Sequence, residues 1–228
     1  KTEDAGRSWK KLTDGLPPGT YGRIALDVAR SNPNVVYAEI ETDGGADSAA
    51  VTTGGGGGGG RGGYDWCTNG GPGKGWGRGG GGGAPGAAPV DTNAPPPALS
   101  KARPGVYRSE NKGRTWTLVS NCNGRPMYFS QIRVDPTNDK TIYVGNTRSS
   151  KSLDGGKTFV GIDEQVGFGN ETVDNHAIWI DPSNPNHVLR GSDAGFAVSW
   201  DQGLTWDYIR TMATGLAYWV TADMDRPY

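Results

Sequence analysis

The chain has 228 residues and a formal charge of −1, from 23 Lys+Arg against 24 Asp+Glu. That balance excludes the basic footprint of a nucleic-acid binder and the polybasic segment that grips anionic lipid, and no apolar run approaches the roughly 20 residues of a membrane-spanning helix. Glycine is the anomaly: 22 of the 39 fall within residues 44–103, and the other 168 residues have the composition of an ordinary turn-rich domain with length enough for a core.

Residues 2–9 read Thr2-Glu3-Asp4-Ala5-Gly6-Arg7-Ser8-Trp9, an octapeptide that returns at 109–116, 152–159 and 199–206. The shared pattern is Ser/Thr-x-Asp/Asn-x-Gly-x-Ser/Thr-aromatic. Its Asp/Asn positions are Asp4, Asn111, Asp154 and Asp201, and its rings are Trp9, Trp116, Phe159 and Trp206. A carboxylate or amide that folds back onto its own turn, followed by a glycine, predicts a tight hairpin turn. The ring that closes the pattern predicts an outer strand anchored between neighbouring sheets.

After the first octapeptide, runs at 23–28 and 35–41 read as strands on either side of an Asn-Pro turn. The glycine- and proline-rich window 44–103 follows, then strands over 105–120. The turn element recurs: Asn32, Asn138 and Asn184 align, with successive spacings of 106 and 46 residues. Removing the 60-residue window turns the first spacing into 46 as well, which predicts an insertion inside one repeat. The expected organisation is therefore propeller over 1–43, a disordered insertion over 44–103 in a strand 2–3 loop, and propeller again over 104–228. Its removal is expected to leave the melt unshifted.

The next unit reads as strands near 130–135, 141–146, 149–153 and 158–162, and another unit covers 177–210. No 3.6-residue periodicity points to a helix. Four antiparallel strands per unit of about 40–50 residues predict an all-β partial β-propeller: three complete blades and two partial ones. Closed propellers take about four to eight blades, so this reads as a stretch of a longer protein, or as one part of a multi-chain ring.

These octapeptides, with Asn32-Pro33-Asn34-Val35-Val36-Tyr37, 128–136, 174–182 and 223–228, resemble the Asp-box (BNR) repeats of sialidases, sortilin-type receptors and tandem-propeller xyloglucanases. The resemblance implies a sortilin-like or glycosyl hydrolase-like repeat protein, placed outside the cell or in the periplasm. Its partners would be a polysaccharide or an extracellular protein and the remaining blades of the same polypeptide, without nucleic acid or membrane. Enzymes and pure binders share the box, which speaks for fold and leaves activity open.

Propeller topology puts the 2–3 and 4–1 connections on one rim. There the sequence places Tyr21 and Arg23, then Arg125 and Tyr128, then Glu171, Asp174 and His176, then Tyr218 and Trp219. Tyr21, Arg23, Arg125, Tyr128, Tyr218 and Trp219 are the candidate ligand contacts. Glycoside hydrolysis needs two carboxyl groups, for which Asp174 with Glu171 is the local candidate, and His176 suits proton transfer near neutral pH. The ordinary reading of Asp174-x-His176 is a loop carboxylate orienting a histidine.

Three functions stay open: a binder of glycan or polypeptide, a glycoside hydrolase of xyloglucanase or sialidase type, and an assembly scaffold. The two histidines and two cysteines lack metal-site spacing, and neither a metal nor a cofactor is expected. GxGxxG occurs in the tract only by glycine arithmetic, with no strand-to-helix step around it. Asp135 and Asp181 read as turn formers and His187 as a surface residue. Cys67 and Cys122 allow one disulfide at most, and neither reads as a core residue.

Overall fold

The computed structural model describes residues 1–44, 67, 98–123, 131–146, 149–162, 175–192 and 195–209. Their regular structure is entirely β. Sheet I comprises β1 (Tyr21–Val28), β2 (Val36–Thr42), β3 (Gly105–Ser109) and β4 (Thr117–Ser120). Sheet II comprises β5 (Gln131–Asp135), β6 (Asn138–Gly145), β7 (Ser149–Ser152) and β8 (Val160–Gly161). Sheet III comprises β9 (Asn175–Ile180), β10 (Val188–Ser192), β11 (Gly195–Ser199) and β12 (Asp207–Ile209). Each sheet is an antiparallel meander in chain order. β2 pairs directly with β3, so the glycine-rich window lies within one hairpin connection. These are three blades of a partial β-propeller.

The octapeptide makes the turns by local hydrogen bonding. In the third copy the Ser152 hydroxyl donates to Asp154 Oδ1 at 2.8 Å and accepts the Gly156 N–H at 2.9 Å. Asp154 Oδ1 accepts the Thr158 N–H at 2.9 Å, and Oδ2 accepts the Thr158 hydroxyl at 2.6 Å. Thr2, Asp4 and Ser8 repeat the scheme, as do Ser199, Asp201 and Thr205. Asn111 keeps its acceptor oxygen on the Thr115 N–H and uses its amide to donate to the Thr115 hydroxyl. The residue before the conserved-pattern glycine is also left-handed, with positive φ at Ala5, Lys112 and Gln202. Two consecutive left-handed residues reverse the chain, and the hydrogen-bonded acid holds them there.

The sheets stack face to face. β1 lies against β5 and β5 against β9, which makes the first strand of each blade the innermost. The main core sits between sheets I and II: Val35, Tyr37, Val106, Ile132, Ile142, Val144 and Phe159. A second core between sheets II and III holds Tyr143, Ile162, Ile178, Ile180 and Val188, with Trp206 against it. A third packs Leu16 and Tyr21 onto Ala38, Ile40, Tyr107 and Trp116.

Directed bonds fix the stacking. Asp27 Oδ2 accepts the Val134 N–H at 2.8 Å, Arg133 Nε donates to the Ile178 carbonyl at 3.1 Å, and the Tyr37 hydroxyl donates to the Asp139 carbonyl at 2.8 Å. Gly156 is a close approach: a Cβ there would meet Val119 and Ile142 at 3.0 and 3.1 Å.

The cysteine expectation is corrected here. Cys67 and Cys122 form a disulfide, and both belong to the core between sheets I and II, with Cys122 fully buried. A sulfur bridge is compact and apolar, so it fills the seam where the glycine-rich surroundings of Cys67 suggested only solvent.

Burial also differs between positions the sequence makes equivalent. Leu26 and Val28 on β1 are 59% and 48% exposed, whereas Ile132, Val134, Ile178 and Ile180 are at most 7% exposed. The same strand face is covered by the preceding sheet in II and III and open in I. Trp9 is 74% exposed for the same reason, while Trp116 and Phe159 are buried.

Candidate functional site

Of the rim residues, Arg125, Tyr128, Glu171, Asp174, Tyr218 and Trp219 lie outside the described residues. Tyr21, Arg23 and His176 lie within them. Tyr21 is half-buried at the start of β1; its hydroxyl donates to the Pro17 carbonyl at 2.7 Å and its ring packs into the third core. Arg23 is exposed on β1, and His176 is exposed on β9.

Beside Arg23 the structure brings two carboxyl groups that the sequence reading passed over. Glu39 and Glu41 sit two apart on β2 and therefore share a face of that strand. Glu41 Oε2 accepts the Arg23 backbone N–H at 2.7 Å. Its carboxylate fills the space above Gly22, where a Cβ would come within 2.0 Å of the same oxygen. Any larger residue at 22 displaces Glu41.

Glu39 is fully buried. Burial pushes its carboxyl well above the usual range; hydrogen bonds from the Asn146 side chain and the Gln131 N–H, and the charge of Arg23, offset part of that rise. Asn146 also takes the Asn175 N–H on its carbonyl at 3.1 Å, so Glu39 is tied to a rim that runs across all three sheets. Sheets II and III carry Gly145 and Gly191 at the equivalent positions. The pair thus combines a fully buried carboxyl, pushed up by desolvation, with a more exposed one that accepts a backbone hydrogen bond.

The disulfide lies on this side of sheet I, because Cys122 follows β4 directly and opens the 4–1 connection. It brings Cys67, the one described residue between 45 and 97, to that seam.

No family profile matches the sequence, and no curated protein matches it. Among solved structures the chain is similar to a GH74 enzyme of Niastella koreensis, with 16% identity, TM-score 0.47 and coverage of 82% of this chain and 22% of that one. An ancestral GH74 enzyme gives 18% identity, TM-score 0.45, and 88% and 19% coverage. The GH74 xyloglucanase from Xanthomonas campestris gives 15%, 0.40, and 90% and 32%. The chain spans a third or less of the length of each.

The opposite rim, where the octapeptides and the Asn-Pro turns lie, is occupied by turn chemistry. The octapeptide side chains Asp4, Asn111, Asp154 and Asp201 spend their oxygens on their own turns. Asp135 accepts the Thr137 N–H and hydroxyl, and Asp181 accepts those of Ser183. The Ser183 hydroxyl in first place, with its N–H, holds Asp181 down to about 2. Among the described residues no group of three or more His, Cys, Asp or Glu is arranged to hold a metal ion.

Proposed function

We propose that this chain is part of an extracellular or periplasmic Asp-box β-propeller that binds a polymer, glycan or polypeptide, on the rim of its 2–3 and 4–1 connections. The observation that carries the reading is the cluster on β1 and β2. Arg23 and Glu41 are joined at the rim by a backbone hydrogen bond, with the buried Glu39 two residues from Glu41 on the same strand, and a disulfide holds Cys67 to Cys122 just past β4. Guanidinium and carboxylate groups at such a rim match hydroxyl and amide partners, and a disulfide accords with an oxidising compartment. The partners of such a propeller are a polysaccharide or extracellular protein, with further blades of the same polypeptide continuing the stack.

Binding is tested by passing the protein over immobilised glucan, xyloglucan, sialoside and polypeptide panels, with Arg23→Ala and Glu41→Gln as rim variants. Retention by one class, weakened in both variants, supports the reading; retention indifferent to both removes the rim from it.

A glycoside hydrolase is the second reading, favoured by the unequal environments of Glu39 and Glu41. Asp174 with Glu171 and His176 remains the other candidate set for the same chemistry. Turnover of the same glycans that survives Asp174→Asn but not Glu41→Gln assigns the chemistry to β2, and the reverse assigns it to the 4–1 connection.

A further inference from the structure

Trp200 is the second residue of its octapeptide. The same position holds Glu3, Glu110 and Leu153, all exposed, so the turn itself asks for no ring there. Trp200 is nevertheless a tryptophan, 61% exposed, on the rim opposite Arg23 and Glu41. It is also held still. The His187 imidazole stacks on it at 4.0 Å with an interplanar angle of 6°, and the Trp179 ring meets His187 edge-on at 5.8 Å.

His187 is itself fixed. Its N–H donates to the Asn184 carbonyl at 2.9 Å, its carbonyl accepts the Asp181 N–H at 3.0 Å, and its Nδ1 lies 3.3 Å from Asp181 Oδ2. The turn carrying Trp200 is tied to the same loop by the Gln202 N–H, which donates to the Asn186 carbonyl at 2.9 Å. One face of the indole is thus backed by a braced imidazole and the ring is turned to solvent.

We propose that Trp200, backed by His187 and flanked by Trp179, is a stacking platform for the pyranose rings of a neutral glycan chain. This rests on the polymer-binding reading above in its glycan form, and adds a second contact surface to it. A flat, rigid ring loses little conformational freedom on binding and offers its face to the C–H side of a sugar. The loop that braces His187 carries Asp181, Ser183, Asn184 and Asn186 as a polar fringe, which suits hydroxyl groups. The one charged side chain of that fringe is a carboxylate, which repels nucleic-acid phosphate and acidic polysaccharide. Contacts on both rims let one long chain engage the protein twice, and two linked contacts bind more tightly than either alone.

The test is native electrophoresis through gels containing soluble mixed-linkage β-glucan, with wild type, Trp200→Leu, Trp179→Ala and the rim variant Arg23→Ala. Leucine is the residue this chain already carries at the position in another octapeptide, so Trp200→Leu keeps its melting midpoint. The expected result is retardation of wild type and a loss of roughly tenfold in apparent affinity for Trp200→Leu, the scale of removing one anchor residue. Acrylamide quenching of the wild-type tryptophan fluorescence falls on adding glucan, and that protection shrinks in the variant. Equal retardation of wild type and Trp200→Leu overturns the platform. If Arg23→Ala alone abolishes retardation, the rim reading stands while the platform falls. Retention only on a proline-rich peptide column also overturns it, as does no retardation of wild type at all.

Discussion

Cys67 is bonded through sulfur to Cys122, 55 residues further along the chain, and both side chains are buried between sheets I and II. The bridge closes a long loop, and a cross-link of that span restricts the unfolded chain by about 4 kcal/mol in the loop-entropy account. Replacing both cysteines by Ala is therefore expected to lower unfolding stability by about that amount. Urea melts of wild type with and without dithiothreitol check it, since reduction should reproduce the variant. The repeat spacing predicts an unshifted melt when residues 44–103 are removed; with Cys67 in the core, that deletion is expected to shift the midpoint down like the double variant. Equal midpoints in all these samples would show that the bridge is idle.

Equivalent positions in the repeat have unequal worth. Ile132 is fully buried under sheet I, and Ile132→Ala removes core volume that its neighbours only partly refill, at a cost of about 2–5 kcal/mol. Leu26 occupies the same place in sheet I but is 59% exposed, and Leu26→Ala is expected to change stability by no more than about 0.5 kcal/mol. Chemical denaturation of the two variants side by side decides the matter, and similar losses would mean that the open face of β1 is covered in solution.

The octapeptide acid is a structural group. The Asp154 carboxylate accepts from the Ser152 hydroxyl, the Lys157 and Thr158 N–H groups and the Thr158 hydroxyl. Alanine leaves those donors without an acceptor and releases two left-handed residues, Gly155 and Gly156, from their brace. Asp154→Ala is expected to cost about 1–3 kcal/mol, and Asp154→Asn less, because Asn111 shows that an amide keeps the principal contact. Hydrogen exchange should report the loss first in the amides of residues 152–158. Protection there that matches wild type would contradict the assignment.

The blades were legible in the sequence because each octapeptide makes its hydrogen bonds within itself. Ser152, Asp154 and Thr158 need nothing distant to form their turn, and the spacing of Asn32, Asn138 and Asn184 carries the register across the insertion. What depended on a neighbouring sheet was not legible. Glu39 and Glu41 alternate along β2 like a solvent-facing edge; the first is buried where it takes hydrogen bonds from Gln131 of sheet II and from Asn146 just past β6. Cys67 stands among glycines, and only its partner 55 residues away places it in a core. Leu26 and Ile132 are the same letter class in the same frame, and the preceding sheet decides which is covered. The candidates Asp174 and Glu171 lie outside the described residues.

Glu39 sets a pH dependence opposite to that of the turn acids. Asp4, held down to about 2 by the Ser8 hydroxyl in first place, favours the folded chain above the ordinary carboxylate range and loses that effect as pH falls. Burial raises Glu39, so the folded state keeps a proton the unfolded chain gives up. The stabilisation linked to that proton is complete below the unfolded value near 4.5 and is lost as pH climbs through the raised folded value. Glu39→Gln removes the titration while keeping an acceptor oxygen for the Asn146 side chain and the Gln131 N–H. Between those two values the stability of wild type relative to the variant should fall with a slope approaching about 1.4 kcal/mol per pH unit, the worth of one proton. Melts of both proteins from pH 4 to 8 measure it: the curves should converge at the acid end and separate steadily toward neutrality. Parallel curves would mean that Glu39 ionises freely in the folded protein, and that its burial does not hold the proton.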